Sequence, residues 1–206
     1  MRLIRSSQLL ALAGLFAASG AFAATYTVSV GNDSGLGTLR QAITDANANP
    51  GADVINITVN TVTLTSALPQ ITQPVTISGL GARSTIVNGA NGATVFNINS
   101  SSGTVLIEKL TIRGNGAGTV TGNGAGILAQ GGGTINLSQV AVENNRATGS
   151  GGGLYTTGPT TISQSTFSGN SAANGGAVAV ASGTSDAVTI SNSTFSGNSA
   201  TAVGAA

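Results

Sequence analysis

Ser165-Thr166-Phe167-Ser168-Gly169-Asn170-Ser171-Ala172 occurs a second time, letter for letter, at Ser193 to Ala200, an offset of 28 residues. Thr-Ile-Ser precedes each copy, at Thr161 to Ser163 and at Thr189 to Ser191. Small residues follow each: Gly175-Gly176-Ala177-Val178, then Val203-Gly204-Ala205-Ala206. A repeat of this length marks stacked units, none of which can bury its own apolar face. Working outward, Ile107, Leu137, Ile162 and Ile190 fall in one column, and Ile112, Val142, Phe167 and Phe195 in a second. Asn115, Asn145, Asn170 and Asn198 form a third column. Ile127, Leu154, Val178 and Ala206 form a fourth. The steps are unequal, as expected of coils that hold their strands in register and take up insertions in one turn.

These columns predict an all-β fold, a right-handed parallel β-helix with an N-terminal amphipathic capping helix. Apolar columns should point inward, and Phe167 and Phe195 should stack in the core. The Asn column should sit at a turn, where Asn tolerates the left-handed conformation and can hydrogen-bond along the stack. The Gly pairs, such as Gly175 and Gly176, should permit tight corners through positive φ. A β-sandwich would need antiparallel hairpins and would not keep one residue type in one column.

The rest of the chain divides into three parts. Residues 1–23 read as a signal peptide: Arg2 and Arg5, then the apolar run Leu9 to Leu15, then the small-x-small site Ala21-Phe22-Ala23. The mature chain would start at Ala24 and be exported. Residues 24–53 form a cap region with a helix at about 38–47. Thr38 and Gln41 fit a capping box, and Leu39, Ala42, Ile43 and Ala46 line one helical face. Leu39 and Ile43 should cover the mouth of the first coil. Residues 54–206 supply the coils, whose last repeat should leave an open or truncated edge capable of self-stacking.

Composition narrows the function. Charged residues are 6% of the 206, and the net charge is +1, or about −1 without Arg2 and Arg5. That argues against a nucleic-acid surface. With neither Cys nor His, disulfides and the commonest general base are excluded. The six acids are Asp33, Asp45, Asp53, Glu108, Glu143 and Asp186. Glu108 and Glu143 fall in different columns, and no Asp-x-Asp pair occurs, so paired carboxylates for glycoside cleavage are not evident. The Gly-rich runs Gly114 to Gly126 and Gly149 to Gly153 lack a phosphate-loop Lys and the Asp of a calcium-binding β-roll. A threonine ladder for ice binding is too short, since Asn136 and Leu106 precede Thr161 and Thr189. No catalytic residue, metal or cofactor is expected. Tyr155 is the best aromatic candidate for a surface contact, and Arg113 should neighbour Glu143 on the outside.

Two patterns resemble known families. Gly35-Leu36-Gly37-Thr38-Leu39-Arg40-Gln41-Ala42-Ile43, with Asp45-Ala46-Asn47 and Pro50-Gly51-Ala52-Asp53, resembles the N-terminal module of exported bacterial β-helix proteins of the choice-of-anchor and CSLREA type. Phe167-x-x-Asn170 with Gly175-Gly176-Ala177-Val178 is similar to the repeats of polymorphic outer-membrane proteins and autotransporter passengers. The resemblance implies a structural or adhesin-like module at the cell surface or secreted, non-catalytic, with a host-surface or extracellular polysaccharide ligand. The alternative is a polysaccharide-binding or polysaccharide-degrading, pectate-lyase-like β-helix.

Overall fold

The computed structural model describes residues 22–114, 118–181 and 188–202. The predicted signal segment through Ala21, the ladder candidate Asn115, the acid Asp186 and the closing Val203-Gly204-Ala205-Ala206 lie outside the described residues.

β1 (Thr25–Val28) runs into α1 (Leu39–Ala48), and coiling follows. The first coil carries β2 (Asp53–Ile57) and β3 (Thr61–Thr63). The second carries β4 (Val75–Ser78), β5 (Ile86–Asn88) and β6 (Phe96–Asn99). The third has β7 (Thr104–Glu108), β8 (Thr111–Arg113) and β9 (Ile127–Gln130). The fourth has β10 (Thr134–Ser138), β11 (Ala141–Glu143) and β12 (Leu154–Thr156). β13 (Thr160–Ser163), β14 (Thr166–Ser168), β15 (Ser171–Ala172) and β16 (Val178–Val180) make the fifth. β17 (Val188–Ser191), β18 (Thr194–Ser196) and β19 (Ser199–Ala200) belong to the sixth.

Each strand pairs in parallel with its counterpart one coil away, giving sheets ordered β1-β2-β4-β7-β10-β13-β17, β3-β5-β8-β11-β14-β18, β6-β9-β12-β16 and β15-β19. Among the described residues the result is a parallel β-helix of about six turns with a single short helix. The register matches the expected columns: Ile107–Leu137–Ile162–Ile190, Ile112–Val142–Phe167–Phe195 and Ile127–Leu154–Val178 are opposed residue by residue. The first ladder also runs back through Ile77 to Ile55, and the second through Val87 to Val62. Alternation puts these side chains inward, where each fully buried one contributes roughly 1.5–3 kcal/mol.

α1 begins as predicted, with Thr38 extended at φ −90° and its hydroxyl accepting from the Gln41 N–H at 3.4 Å. The expected capping box is only half made. The Gln41 side chain turns forward and donates to Asp45 Oδ1 at 2.7 Å, because a carboxylate one turn on is the stronger acceptor. Leu39, Ala42, Ile43 and Ala46 are buried in one cluster with Val28, Ile55 and Ile57. Two latches hold the helix across the first coil. Arg40 donates to Asp33 Oδ1 at 2.6 Å and to Ser66 O and Ala67 O. Asn47 donates to Gln70 O and accepts from Thr72 N.

Candidate functional site

The repeated octapeptide builds its site from two kinds of inward residue. Phe167 and Phe195 stack, with ring centroids 5.1 Å apart and planes 12° from parallel. Phe167 is fully buried, but Phe195 is 39% exposed, which corrects the expectation that both lie in the core. No described rung lies beyond Phe195 to cover its outer face.

Asn145, Asn170 and Asn198 form a continuous amide ladder. Asn145 Nδ2 donates to Asn170 Oδ1 at 3.0 Å, and Asn170 Nδ2 donates to Asn198 Oδ1 at 2.9 Å. Asn170 Oδ1 and Asn198 Oδ1 also accept the backbone N–H of the Asn one coil below, at 3.1 and 3.0 Å. Asn170 and Asn198 further donate to Val142 O and Phe167 O. A carboxamide supplies both a donor and an acceptor, so the ladder satisfies a corner whose backbone groups are buried.

The conformational reason first assigned to this column needs correction. Positive φ falls one residue earlier, at Asn144, Gly169 and Gly197, and at a second corner formed by Lys109, Gln139, Gln164 and Asn192. The Asn side chains are selected for bonding rather than for a left-handed backbone. The Gly pair is likewise split. Gly175 has φ +54°, whereas Gly176 is kept small because a Cβ there would run into the Ser199 backbone of the next coil.

A further rung set was missed because serine is common throughout the chain. The Ser165 hydroxyl accepts from Val140 N–H at 3.2 Å and donates to Ser163 O at 2.7 Å. Ser193 repeats this one coil on, accepting from Ser165 N–H and donating to Ser191 O.

On the outside, a groove of about 450 Å³ runs along β11 and β14 and the corner that precedes them. Arg83, Lys109, Gln139, Gln164, Glu143 and Thr166 are among its lining residues. Gln139 Nε2 donates to Gln164 Oε1 at 3.3 Å, so a second, exposed amide column borders it. This groove escaped the sequence reading because it is assembled from a corner whose conformation no glycine signals.

The carboxylates are engaged locally. Arg113 lies opposite Glu143 and reaches its Oε2 at 3.4 Å, as the column alignment requires. Glu108 is opposite Ser138, bonded to Lys109 at 3.0 Å and to Ser78 at 2.9 Å. Partial burial pushes the Glu108 carboxyl upward, but the bonds from Lys109 and Ser78 and the lysine charge hold it below its usual range. Burial acts the same way on Asp33. Hydrogen bonds from Arg40, Ser66 and the Thr65 backbone, with the Arg40 charge, outweigh it and bring the carboxyl to about 2. Among the described residues no group of three or more acidic, His or Cys side chains could hold a metal. Tyr155 projects half-buried from β12 between Leu128 and Ala179. Among the described residues no helix is long and apolar enough to cross a membrane.

Comparison with known proteins agrees with this geometry. The family model for the right handed beta helix region matches residues 93–205, more than half of the chain. No curated protein matches the chain, and no solved structure matches it. The match takes in the amide ladder, the phenylalanine stack and four of the coils, and the chain belongs to the right handed beta helix region family.

Proposed function

We propose that this chain is an exported β-helix module, secreted or held at a bacterial cell surface, that is non-catalytic and adhesin-like. It would present a repeated polar face to a host-surface or extracellular polysaccharide ligand. The observation that carries this reading is the chemistry of the outward columns. Ser138, Ser163 and Ser191 are in register, as are Thr161 with Thr189, Thr166 with Thr194, and Ser168 with Ser196. One hydroxyl chemistry is thus repeated at strand spacing, about 4.8 Å, on faces with few free charges. A ligand with its own repeat can engage several weak contacts at once, and avidity then replaces strong single contacts. Placement among the choice-of-anchor, CSLREA-type or polymorphic outer-membrane proteins is part of this proposal and rests on the motifs quoted above.

A second reading, a polysaccharide-binding or polysaccharide-degrading β-helix, is favoured by one feature. The outer groove puts cationic Arg83 and Lys109 beside the Gln139–Gln164 amides and Glu143. Retaining or inverting cleavage generally needs two carboxylates facing one bond. Glu143 is paired with Arg113, and Glu108 projects from a different sheet. A glycan-array screen of the chain from Ala24, with turnover assays on pectin and alginate, separates the readings. The expected result is glycan retention without turnover. Turnover that Glu143→Gln abolishes would overturn the non-catalytic reading.

A further inference from the structure

Asp53 opens β2 and is 1% exposed. Its Oδ1 accepts from the Ala24 backbone N–H at 2.7 Å and from Asn49 Nδ2 at 2.8 Å. Its Oδ2 is buried and finds no hydrogen-bond partner among the described residues. A buried carboxylate held by one neutral N–H and one amide is under-compensated for the water it has lost.

The position of the Ala24 nitrogen is set by the β1–β2 register rather than by what precedes it. Thr25 lies opposite Val54, and the Val54 N–H donates to Ala24 O at 2.8 Å. Ala24 is also the residue that follows the Ala21-Phe22-Ala23 cleavage pattern. The side chains just before it are not packed, with Phe22 80% exposed and Ala23 exposed, and that segment is tied to the fold through Phe22 O, which accepts from Asn49 Nδ2 at 2.8 Å.

We propose that Asp53 is the receptor for the new N-terminus created when export processing cuts the Ala23–Ala24 bond. The inference rests on the export reading given above. Hydrolysis consumes one water. The C–N bond breaks, the hydroxyl goes to the Ala23 carbonyl carbon, and the hydrogen goes to the Ala24 nitrogen. That nitrogen then takes a proton from solvent and becomes an α-ammonium. One neutral donor is thereby replaced by a cation with three N–H groups, within reach of Oδ1 and able to serve Oδ2 as well. Charge-assisted bonds of this kind are roughly twice as strong as neutral ones. Processing therefore fastens the first residue of the solenoid to the strand beneath it, at the seam beside the helix cover. A precursor that keeps Ala23 has no ammonium at this place and leaves the seam looser.

The test compares chains beginning at Ala24 and at Phe22, each with and without Asp53→Asn. The Ala24 chain should melt about 5 °C or more above the Phe22 chain, and Asp53→Asn should erase that difference. An acylating reagent at neutral pH should modify the α-amine of the Ala24 chain at least about 10-fold more slowly than that of the Phe22 chain. This second comparison uses the native sequence, so it decides even if Asp53→Asn fails to fold. Equal melting and equal acylation would overturn the pairing. The intact mass of the product exported from cells carrying the full gene should correspond to a start at Ala24. A product starting elsewhere would overturn the proposal through the export reading, leaving the two in-vitro starts to judge the pairing separately.

Discussion

Ser165 to Ala172 and Ser193 to Ala200 share every residue and pair with each other strand by strand, yet their environments differ. Phe167 is wholly buried between rungs, while Phe195 is 39% exposed; Ile162 is wholly buried, while Ile190 is 47% exposed. Local sequence sets the conformation of a coil, and the neighbouring coils set how much apolar surface it removes from water. The opposite end shows what a cover adds. There Leu39 and Ile43 from α1 close over Val28 and Ile55, and none of these side chains is exposed.

The comparison can be broken most directly at the phenylalanines. Phe167→Ala should cost about 3–5 kcal/mol, the range for truncating a buried aromatic. Phe195→Ala should cost about 1–2 kcal/mol, since much of its ring already meets water. Urea denaturation of both variants checks this. Equal losses would mean that a further rung covers Phe195 in solution.

The amide ladder gives the next largest contrast. Asn170→Ala removes the amide donor to Val142 O and strands the backbone N–H of Asn145, while the Asn145 amide keeps Ile112 O and Glu143 O as acceptors. At about 1–3 kcal/mol for a buried group left unsatisfied, it should cost about 2–3 kcal/mol. Asn198→Ala leaves similar groups closer to water and should cost about 1 kcal/mol. Hydrogen exchange at the Asn145 and Asn170 amides would locate each loss.

Acid should turn the covered end into something like the exposed one. Asp33, held at about 2, lies below the ordinary carboxylate value of about 3.9. Its contribution is therefore fully present above about pH 4 and is lost as pH falls through 2. Between those limits the Arg40 latch should release, and the fall in melting temperature should shrink in Asp33→Asn. An unchanged fall in the variant would show that the latch does not hold the cover.

The smallest effect is expected in the middle of the stack. A double-mutant cycle on Arg113→Ala and Glu143→Ala should give about 0–1 kcal/mol, because the pair is only half-buried, is 3.4 Å apart and is open to water. A larger coupling would show that the outer faces contribute more to the solenoid than their composition suggests.

From residue 104 onward the fold is legible in the sequence because residue identity itself repeats. Ile107, Leu137 and Ile162, or Asn145, Asn170 and Asn198, announce their columns by letter. The earlier coils carry the same ladders through Ile55 and Ile77 but without repeated neighbours, so alternation shows the strands and not their register. The corner at Lys109, Gln139, Gln164 and Asn192 is illegible for another reason. Lys109, Gln139 and Gln164 adopt positive φ at a cost of roughly 1–2 kcal/mol each, where sequence suggests Gly or, as at Asn192, Asn. Stacking from coil to coil overrides the local preference, and it creates the groove that only the structure reveals. The buried carboxylate of Asp53 was equally hidden, since its meaning lies in a residue 29 positions away.

The hydrogen bonds of the amide and serine ladders run between coils, and the coil of Ser165 and Asn170 both gives and receives the same set. A coil is therefore a unit of heredity as well as of folding. Copying one within the gene inserts a rung whose bonds to the rungs on either side are already specified. Unequal recombination between near-identical copies removes a rung as cleanly. The octapeptides at 165 and 193 are identical, as two such copies would be. For a protein built this way, reach is the trait that mutation can alter with the least damage.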